Sequence, residues 1–198
     1  MRAKDVVWLA LLILAAVLAI SLKYLPYLPG DVSSTQLVQS MLPESKRWAQ
    51  LISSTAAMPH VLILIAAAFC LSWVIAGGRA AVLSLACFTG LLLLGKWLGP
   101  AIAQPRPSPD LVQVTGSLSG SAFPSIFAFN YISTVGFLAV LSAVKTSGKL
   151  RWTVLFICTL VLLVGGIARV ALAAHWPSDV AISYLMGLLW ASLLVRFA

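Results

Sequence analysis

The sequence predicts an all-α integral membrane protein, and three observations favour this fold class. Hydrophobic residues make up 61% of the 198 residues, whereas charged residues make up only 9%. In soluble domains roughly a quarter of the residues are charged. The mean hydropathy is strongly positive. The apolar residues are also gathered in runs long enough to cross about 30 Å of hydrocarbon as helices.

Six apolar runs are predicted to be membrane-spanning helices. They cover residues 6–24, 57–76, 80–98, 124–144, 152–172 and 180–197. The first run is longer than the core of a typical secretory signal. Its far end, Lys23-Tyr24-Leu25-Pro26, lacks a convincing small-residue cleavage site, so we expect a retained helix. No Pro/Ser/Gly-rich linker divides the chain, and residues 1–198 are expected to form one membrane domain.

Basic residues recur at alternate connections and predict the orientation, because cytoplasmic connections carry an excess of Lys and Arg. These residues are Arg2, Lys4, Arg79, Lys145, Lys149, Arg151 and Arg196. We therefore expect both termini in the cytoplasm and three outer connections, residues 25–56, 99–123 and 173–179. The net charge of +8 then reflects membrane placement, and nothing resembles a nucleic-acid-binding module.

The first outer connection contains apolar residues at helical spacing on both sides of Pro43. These residues are Leu37, Val38, Met41 and Leu42 before the proline, and Trp48, Leu51 and Ile52 after it. The pattern predicts short amphipathic helices lying at the membrane interface. They serve either as a cover that shields the bundle or as a gate for substrate, and the sequence leaves both roles open.

Ionisable side chains near membrane depth are costly, so those present usually have a partner or a role. Three clusters of polar residues fall on the predicted outer side: Lys96 with Arg106-Pro107, then Phe123-Pro124-Ser125, then Arg169 with His175 and Asp179. By contrast, Cys70, Cys87 and Cys158 each lie inside an apolar run. The cysteines therefore indicate neither a disulfide nor a metal site.

The third cluster has the composition of a phosphoryl-transfer site. His175 and Asp179 are four residues apart, which places both on one face of a helix. A carboxylate there can accept a proton from one imidazole nitrogen and leave the other nitrogen free to attack. Neighbouring guanidinium and ammonium groups would bind a phosphoryl group and offset its developing charge. Ser125 would add a hydroxyl and free N–H groups at a helix start.

Taken singly, each of these residues has a commoner structural role, such as a contact with lipid headgroups or the start of a helix. Together, in this order and on one side of the membrane, they favour a site for phosphate chemistry. The pattern calls for no metal and no cofactor.

The order of these residues resembles that of the type 2 phosphatidic acid phosphatases (PAP2), membrane relatives of the vanadium haloperoxidases. Their signature is Lys, then Arg-Pro, then Pro-Ser-Gly-His, then Ser-Arg, five residues, His, three residues and Asp. This chain has Lys96, Arg106-Pro107, Pro124-Ser125 and, at the family's spacing, Arg169, His175 and Asp179. The resemblance covers nearly the whole chain and implies a six-helix bundle of the PAP2/haloperoxidase type.

The resemblance also implies roles for these residues. His175 would be the nucleophile that forms a phosphohistidine, and Asp179 would orient it. The phosphate would be bound by Lys96, Arg106, Ser125 and Arg169. The partner would be a phosphorylated lipid in the bilayer, and the site would face the outside of a bacterial cytoplasmic membrane.

The chain departs from the family pattern at three places. Ile126-Phe127 stands where the family has Gly-His, and Ala168 stands where it has Ser. Lys96 lies ten positions before Arg106 rather than the usual seven. In the family the missing histidine is the general acid, and loss of positioned proton transfer typically costs about 10²- to 10⁴-fold in rate.

The missing acid favours some substrates over others. A lipid alcohol leaves a monoester poorly unless it is protonated, whereas a lipid diphosphate releases a phosphate monoester whose second pKa is about 6. A substrate of the undecaprenyl diphosphate type would therefore be the easier one. Alternatively His60, which begins the second span on the same predicted side, supplies the proton.

The sequence leaves two further readings open. A catalytically impaired relative would keep the anion pocket and bind or move a phosphorylated lipid, and Ile126-Phe127 supports this alternative. An unrelated small transporter or assembly factor would require the three clusters to coincide by chance.

The orientation can be tested with single cysteines in a background whose three native cysteines are replaced by alanine. A reagent that cannot cross the membrane should label Asp110→Cys from outside intact cells and fail to label Ser147→Cys. This follows because residue 110 lies in an outer connection and residue 147 lies among basic residues. The reverse labelling pattern would overturn the orientation.

Overall fold

Helices form the regular structure of the protein. The structure is a computed structural model that describes residues 3–42, 46–116 and 118–198. Arg2, one of the residues expected in the cytoplasm, and Pro43, the expected helix break, lie outside the described residues. The helices are α1 Ala3–Ser21, α2 Asp31–Met41, α3 Arg47–Thr55, α4 Val61–Ala76, α5 Gly78–Ile102, α6 Ile126–Tyr131, α7 Phe137–Lys145, α8 Gly148–Ala171 and α9 Pro177–Val195. A π-helical turn, Ile132–Gly136, joins α6 and α7 into one continuous helix.

Five helices within the described ranges are long and apolar enough to cross a membrane. They are α1, α5, the continuous helix Ile126–Lys145, α8 and α9. The chain is therefore an all-α, multi-pass membrane protein, as its sequence predicts. The run at 57–76 forms only the 16-residue α4, which is about 24 Å long at 1.5 Å per residue. The count of six spans thus stays a prediction.

The helix Ile126–Lys145 is the central element of the bundle, and glycines bring its neighbours close to it. A Cβ atom on Gly187 of α9 would lie 2.0 Å from Cγ2 of Ile132 in the π turn. A Cβ atom on Gly165 of α8 would lie 2.9 Å from the ring of Tyr131. Because only glycine permits these approaches, α8 and α9 pack directly against the central helix.

The start of α1 and the end of α9 meet at one end of the bundle. Arg196 and Asp5 form an ion pair with an N–O distance of 3.0 Å, and the indole Nε1 of Trp8 donates to the carbonyl of Leu189 at 3.2 Å. The starts of α5 and α8 and the end of α7 lie at the same end. We call it the basic end, because Lys4, Arg79, Lys145, Lys149, Arg151 and Arg196 occupy these helix termini.

The opposite end of the bundle, which we call the site end, is covered by α2 and α3, the short helices predicted in the first outer connection. Trp48 and Ile52 of α3 pack against Ala168 and Leu172 near the end of α8. The Nε2 atom of Gln39 in α2 donates to the carbonyl of Gln113 at 2.8 Å. Side chains of the two short helices therefore hold the long connections against the bundle.

Candidate active site

His175 lies at the site end, in the short segment between α8 and α9. Its side chain is buried, with 3% of its surface exposed. The Nδ1 atom is 2.6 Å from the carbonyl oxygen of Ala122. Because a carbonyl oxygen only accepts hydrogen bonds, Nδ1 carries the proton and Nε2 keeps a free lone pair. This is the tautomer that a nucleophilic histidine requires.

Asp179 lies close to His175 but does not accept the imidazole proton, contrary to the mechanism suggested by the spacing of the two residues. Its Oδ2 atom is 3.9 Å from Nδ1 of His175, within ion-pair distance but beyond hydrogen-bond distance. The same oxygen accepts a hydrogen bond from the backbone N–H of Trp176 at 2.9 Å. The carboxylate thus caps the first turn of α9, and the carbonyl of Ala122 fixes the tautomer instead.

The surroundings of His175 favour its neutral form. Burial lowers its pKa well below the ordinary histidine value, and the positive charges of Arg169 and Arg106 lower it further. The hydrogen bond to Ala122 offsets only part of this effect. At neutral pH the imidazole is therefore unprotonated and available for attack on phosphorus.

Arg106 connects two segments of the site through backbone carbonyl groups. Its Nη1 atom donates to the carbonyl of Ala174 at 2.6 Å. Its Nε and Nη2 atoms donate to the carbonyls of Gly120 and Ser119, each at 3.2 Å. Burial lowers the pKa of Arg106, and the carboxylate of Asp179 partly restores it. A guanidinium group nevertheless stays charged in proteins, so Arg106 places a positive charge next to His175.

Arg169 lies in the last turn of α8 and reaches the site from the other side. Its Nη1 atom hydrogen-bonds to the hydroxyl of Ser53, and its guanidinium carbon lies 5.4 Å from the centroid of the Phe127 ring. That distance is typical of a cation–π contact. The Nε atom is buried and has no hydrogen-bond partner among the described residues, so the guanidinium is not saturated by the protein.

Two neighbouring clefts lie beside the two arginines. The cleft at Arg106 has a volume of about 260 Å³ and the cleft at Arg169 about 280 Å³. Both are lined by Thr115, Gly116, Leu118 and Ala174. Because Ala174 directly precedes His175, both clefts lie next to the segment that carries the candidate nucleophile, one beside each guanidinium group.

The other three predicted site residues, Ser125, Lys96 and His60, have different surroundings. Ser125 is fully buried, and its Oγ atom caps α6 by accepting from the N–H of Ala128 at 3.3 Å. Lys96 is exposed on α5. His60 is also exposed, with its Nδ1 atom 3.2 Å from the carbonyl of Ser54. Of the predicted site residues, the structure therefore brings together Arg106, Arg169, His175 and Asp179.

Sequence reasoning missed two buried polar residues at the site end, Asp31 and Gln104. Asp31 is 4% exposed. Its two oxygens accept hydrogen bonds from the N–H and the hydroxyl of Ser178 at 2.9 and 2.6 Å. The only signal in the sequence is scarcity, since Asp and Glu together number five. Within the described ranges no group of three His, Cys, Asp or Glu side chains could hold a metal ion.

Comparison with known proteins places this fold and site in a class. The chain belongs to the PAP2 superfamily, whose sequence model matches residues 80–198. This region contains Lys96, Arg106, Arg169, His175 and Asp179. Among curated proteins the sequence has no match.

The fold is similar to that of a PAP2-type enzyme of known structure. A transmembrane PAP2-type phosphatidylglycerolphosphate phosphatase from Bacillus subtilis superposes with a TM-score of 0.70. The alignment covers 96% of this chain and 94% of that chain, with 22% sequence identity. The comparison shows that the two chains share a fold.

The protonation of His175 can be measured directly by NMR, because the chain has only two histidines. In a His60→Gln variant labelled at histidine, we expect His175 to titrate below pH about 6.5, the ordinary value. Arg169→Gln should raise this pKa, since it removes a neighbouring positive charge. Arg196→Gln at the basic end is the control and should leave it unchanged. A titration at or above the ordinary value would contradict the described environment.

Proposed function

We propose that this protein removes or transfers the phosphate group of a membrane lipid through a phosphohistidine on His175. The observation that carries the proposal is the arrangement of the imidazole. His175 is buried, its Nδ1 atom donates to the carbonyl of Ala122, and each of the two neighbouring clefts is lined by one guanidinium group. Membership of the PAP2 superfamily supports the same chemistry. So does the similar fold of a phosphatidylglycerolphosphate phosphatase.

In the proposed first step, the Nε2 lone pair of His175 attacks the phosphorus atom. An N–P bond forms, and the bond from phosphorus to the leaving oxygen breaks with its electron pair on that oxygen. Arg106 and Arg169 offset the charge on the phosphoryl oxygens, while Nδ1 keeps its proton and donates it in the hydrogen bond to the carbonyl of Ala122. Water then attacks phosphorus, and the N–P bond breaks with its electron pair returning to Nε2, which releases phosphate. In the transfer reaction the oxygen of a second alcohol attacks in place of water.

The residue at position 127 determines which leaving groups are suitable. Phe127 stacks on Tyr131 with ring centroids 4.3 Å apart and lies below the guanidinium of Arg169. It therefore holds Arg169 in place and offers no proton. Because a diphosphate releases a phosphate that needs no protonation, a lipid diphosphate of the undecaprenyl type is the favoured substrate. If His60 is the proton donor instead, it must move, since its side chain is exposed and hydrogen-bonded to Ser54.

The proposed location is the outer face of a bacterial cytoplasmic membrane, with both termini in the cytoplasm. The charge distribution supports it, because the basic helix termini lie at the end opposite the site. Lys96 and Ser125 complete the proposed set of phosphate-binding residues. For Lys96 this requires its flexible side chain to reach the site, and for Ser125 it requires the cap of α6 to open.

A second candidate function is binding or movement of a phosphorylated lipid without turnover. Phe127 favours it, because it replaces the family's proton donor with a side chain that only packs. The hydrogen bonds of Arg106 to three carbonyl groups favour it as well, since they occupy a guanidinium that the chemistry would need.

The proposal predicts phosphate release from polyprenyl diphosphate by the purified protein, abolished by His175→Ala. The panel should also include phosphatidic acid, phosphatidylglycerol phosphate and lipid A. His60→Ala is the matched control and should keep activity toward the diphosphate. Loss of activity toward monoesters alone in this variant would identify His60 as their proton donor. No release from any lipid, together with phosphate-dependent lipid binding that Arg106→Ala removes, would favour the binding protein.

Restoring the proton donor should change substrate preference. Phe127→His, combined with Ile126→Gly to relieve crowding, should raise turnover of monoesters more than turnover of diphosphates. The gain in monoester turnover should not exceed the roughly 10²- to 10⁴-fold rate contribution that is typical of a positioned general acid. Phe127→Leu in the same Ile126→Gly background controls for loss of the ring. Equal gains on both substrates would contradict the leaving-group argument.

A further inference from the structure

A third cavity lies on the membrane side of the site, between the end of α5 and the start of α6. Its volume is about 610 Å³. The wall from α5 is formed by Gly95, Gly99 and Pro100, and the opposite wall includes Pro124 and Ile126. Since α5 and the central helix both span the membrane, the cavity lies at the boundary between the bilayer and the site end.

The inner wall of this cavity is polar. Arg106 lines it and also lines one of the two clefts next to His175, so the cavity and the candidate active site share this residue. Gln104 contributes to the same wall and is only 1% exposed. Its Oε1 atom has no hydrogen-bond partner among the described residues. The Nε2 atom of the same amide donates to the carbonyl of Pro26 at 3.2 Å, which holds Gln104 as a polar part of the wall.

The outer rim of the cavity faces the lipid. Ile126 is 41% exposed although the residues on both sides of it are buried. On α5, Lys96 is exposed and shares a helix face with Gly99 and Pro100. The carbonyl of Lys96 also lacks a helical partner, because Pro100 has no N–H. Lys96 lies outside the lining, but the apolar wall and the inner guanidinium of Arg106 match the first chain atoms and the headgroup of an anionic lipid.

Ile126 and Gly95 set the width of this cavity. A Cβ atom on Gly95 would lie 2.6 Å from Cδ1 of Ile126 and 3.2 Å from the ring of Phe129. The side chain of Ile126 thus fills the space that the glycine leaves open. Any lipid chain that passes between α5 and α6 must pass this contact.

We infer that the cavity between α5 and α6 binds the chain-proximal part of a lipid phosphate, and that the contact between Ile126 and Gly95 selects lipids by the bulk of that part. The inference rests on the proposed function for the identity of the lipid. It gives a role to Ile126, a residue at which this chain departs from the family pattern.

The test is equilibrium binding of radiolabelled phosphonate analogues to the purified full chain, because their P–C bond is not hydrolysed. The probes are analogues of phosphatidic acid, with two chains, and of lysophosphatidic acid, with one chain. Ile126→Ala should raise the two-chain over one-chain affinity ratio about 3- to 10-fold, and Gly95→Ala should lower it by a similar factor. The double variant should return close to wild type, since the new methyl group fills the vacated space.

Two matched controls separate this site from general packing effects. Gly90 lies on α5, like Gly95, but outside the cavity, and Gly90→Ala places a Cβ 2.8 Å from Trp190 of α9. Ile157→Ala removes the side chain of another exposed isoleucine. Both should leave the ratio unchanged. If Gly95→Ala does not fold, Gly99→Ala adds a methyl group to open space in the same cavity and should also lower the ratio.

Two results would overturn the inference: an unchanged ratio in the single variants, or equal losses of affinity for the headgroup analogue of glycerol 3-phosphate, which has no chain. The binding readout does not depend on turnover. If the protein shows no turnover but its binding ratio changes as expected, the proposed phosphatase activity is refuted and this lipid site is supported. Turnover with unaltered selectivity would refute this site alone.

Discussion

The hydrogen bonds of the half-buried Arg106 guanidinium to three backbone carbonyls are the interaction on which the site end depends. Backbone carbonyls outside helices need hydrogen-bond partners, and water is scarce at the membrane boundary. Arg106 donates to the carbonyls of Ser119, Gly120 and Ala174, and so ties the connection before α6 to the segment that carries His175. The same side chain supplies positive charge to the cleft. The carbonyls use three of the five N–H donors of this guanidinium, and the proposed phosphate binding would draw on the same group.

The starts of the helices at the site are already occupied by side chains of the protein. Asp31 and Asp179 accept hydrogen bonds from backbone N–H groups at the start of α9, and the Ser125 hydroxyl caps α6. A free helix start would attract an anion, but these donors are used. In the proposed function, recognition of the phosphate therefore falls to the side chains of Arg106 and Arg169. Guanidinium groups suit this task because they present several donors in a fixed plane.

The fold class could be predicted from the sequence because long apolar runs have few structural solutions in a bilayer. Arg169, His175 and Asp179 could be identified because ionisable groups are rare at that depth and their spacing is local. Asp31 could not, since its partner Ser178 lies 147 positions away and no local pattern joins them. The role of the Ala122 carbonyl could not be predicted either, because every residue has a backbone carbonyl and the sequence does not show which one accepts a hydrogen bond from His175. The structural role of Phe127 depends on Arg169 across two helices.

The π turn Ile132–Gly136 divides the central helix into two halves, α6 before it and α7 after it. Its wider hydrogen-bonding pattern accommodates one additional residue, and each residue advances a helix by about 100°. Before the turn, Phe127 and Tyr131 pack with residues of α8 and Phe129 packs with α5. After it, Phe137 and Leu141 pack with α5 and α9, and Leu138 packs with α8. The half that borders the site therefore meets neighbouring helices in a register shifted by about one residue from that of the second half. Evolution could exchange residues such as Ile126 and Phe127 in the first half without altering the packing of the second.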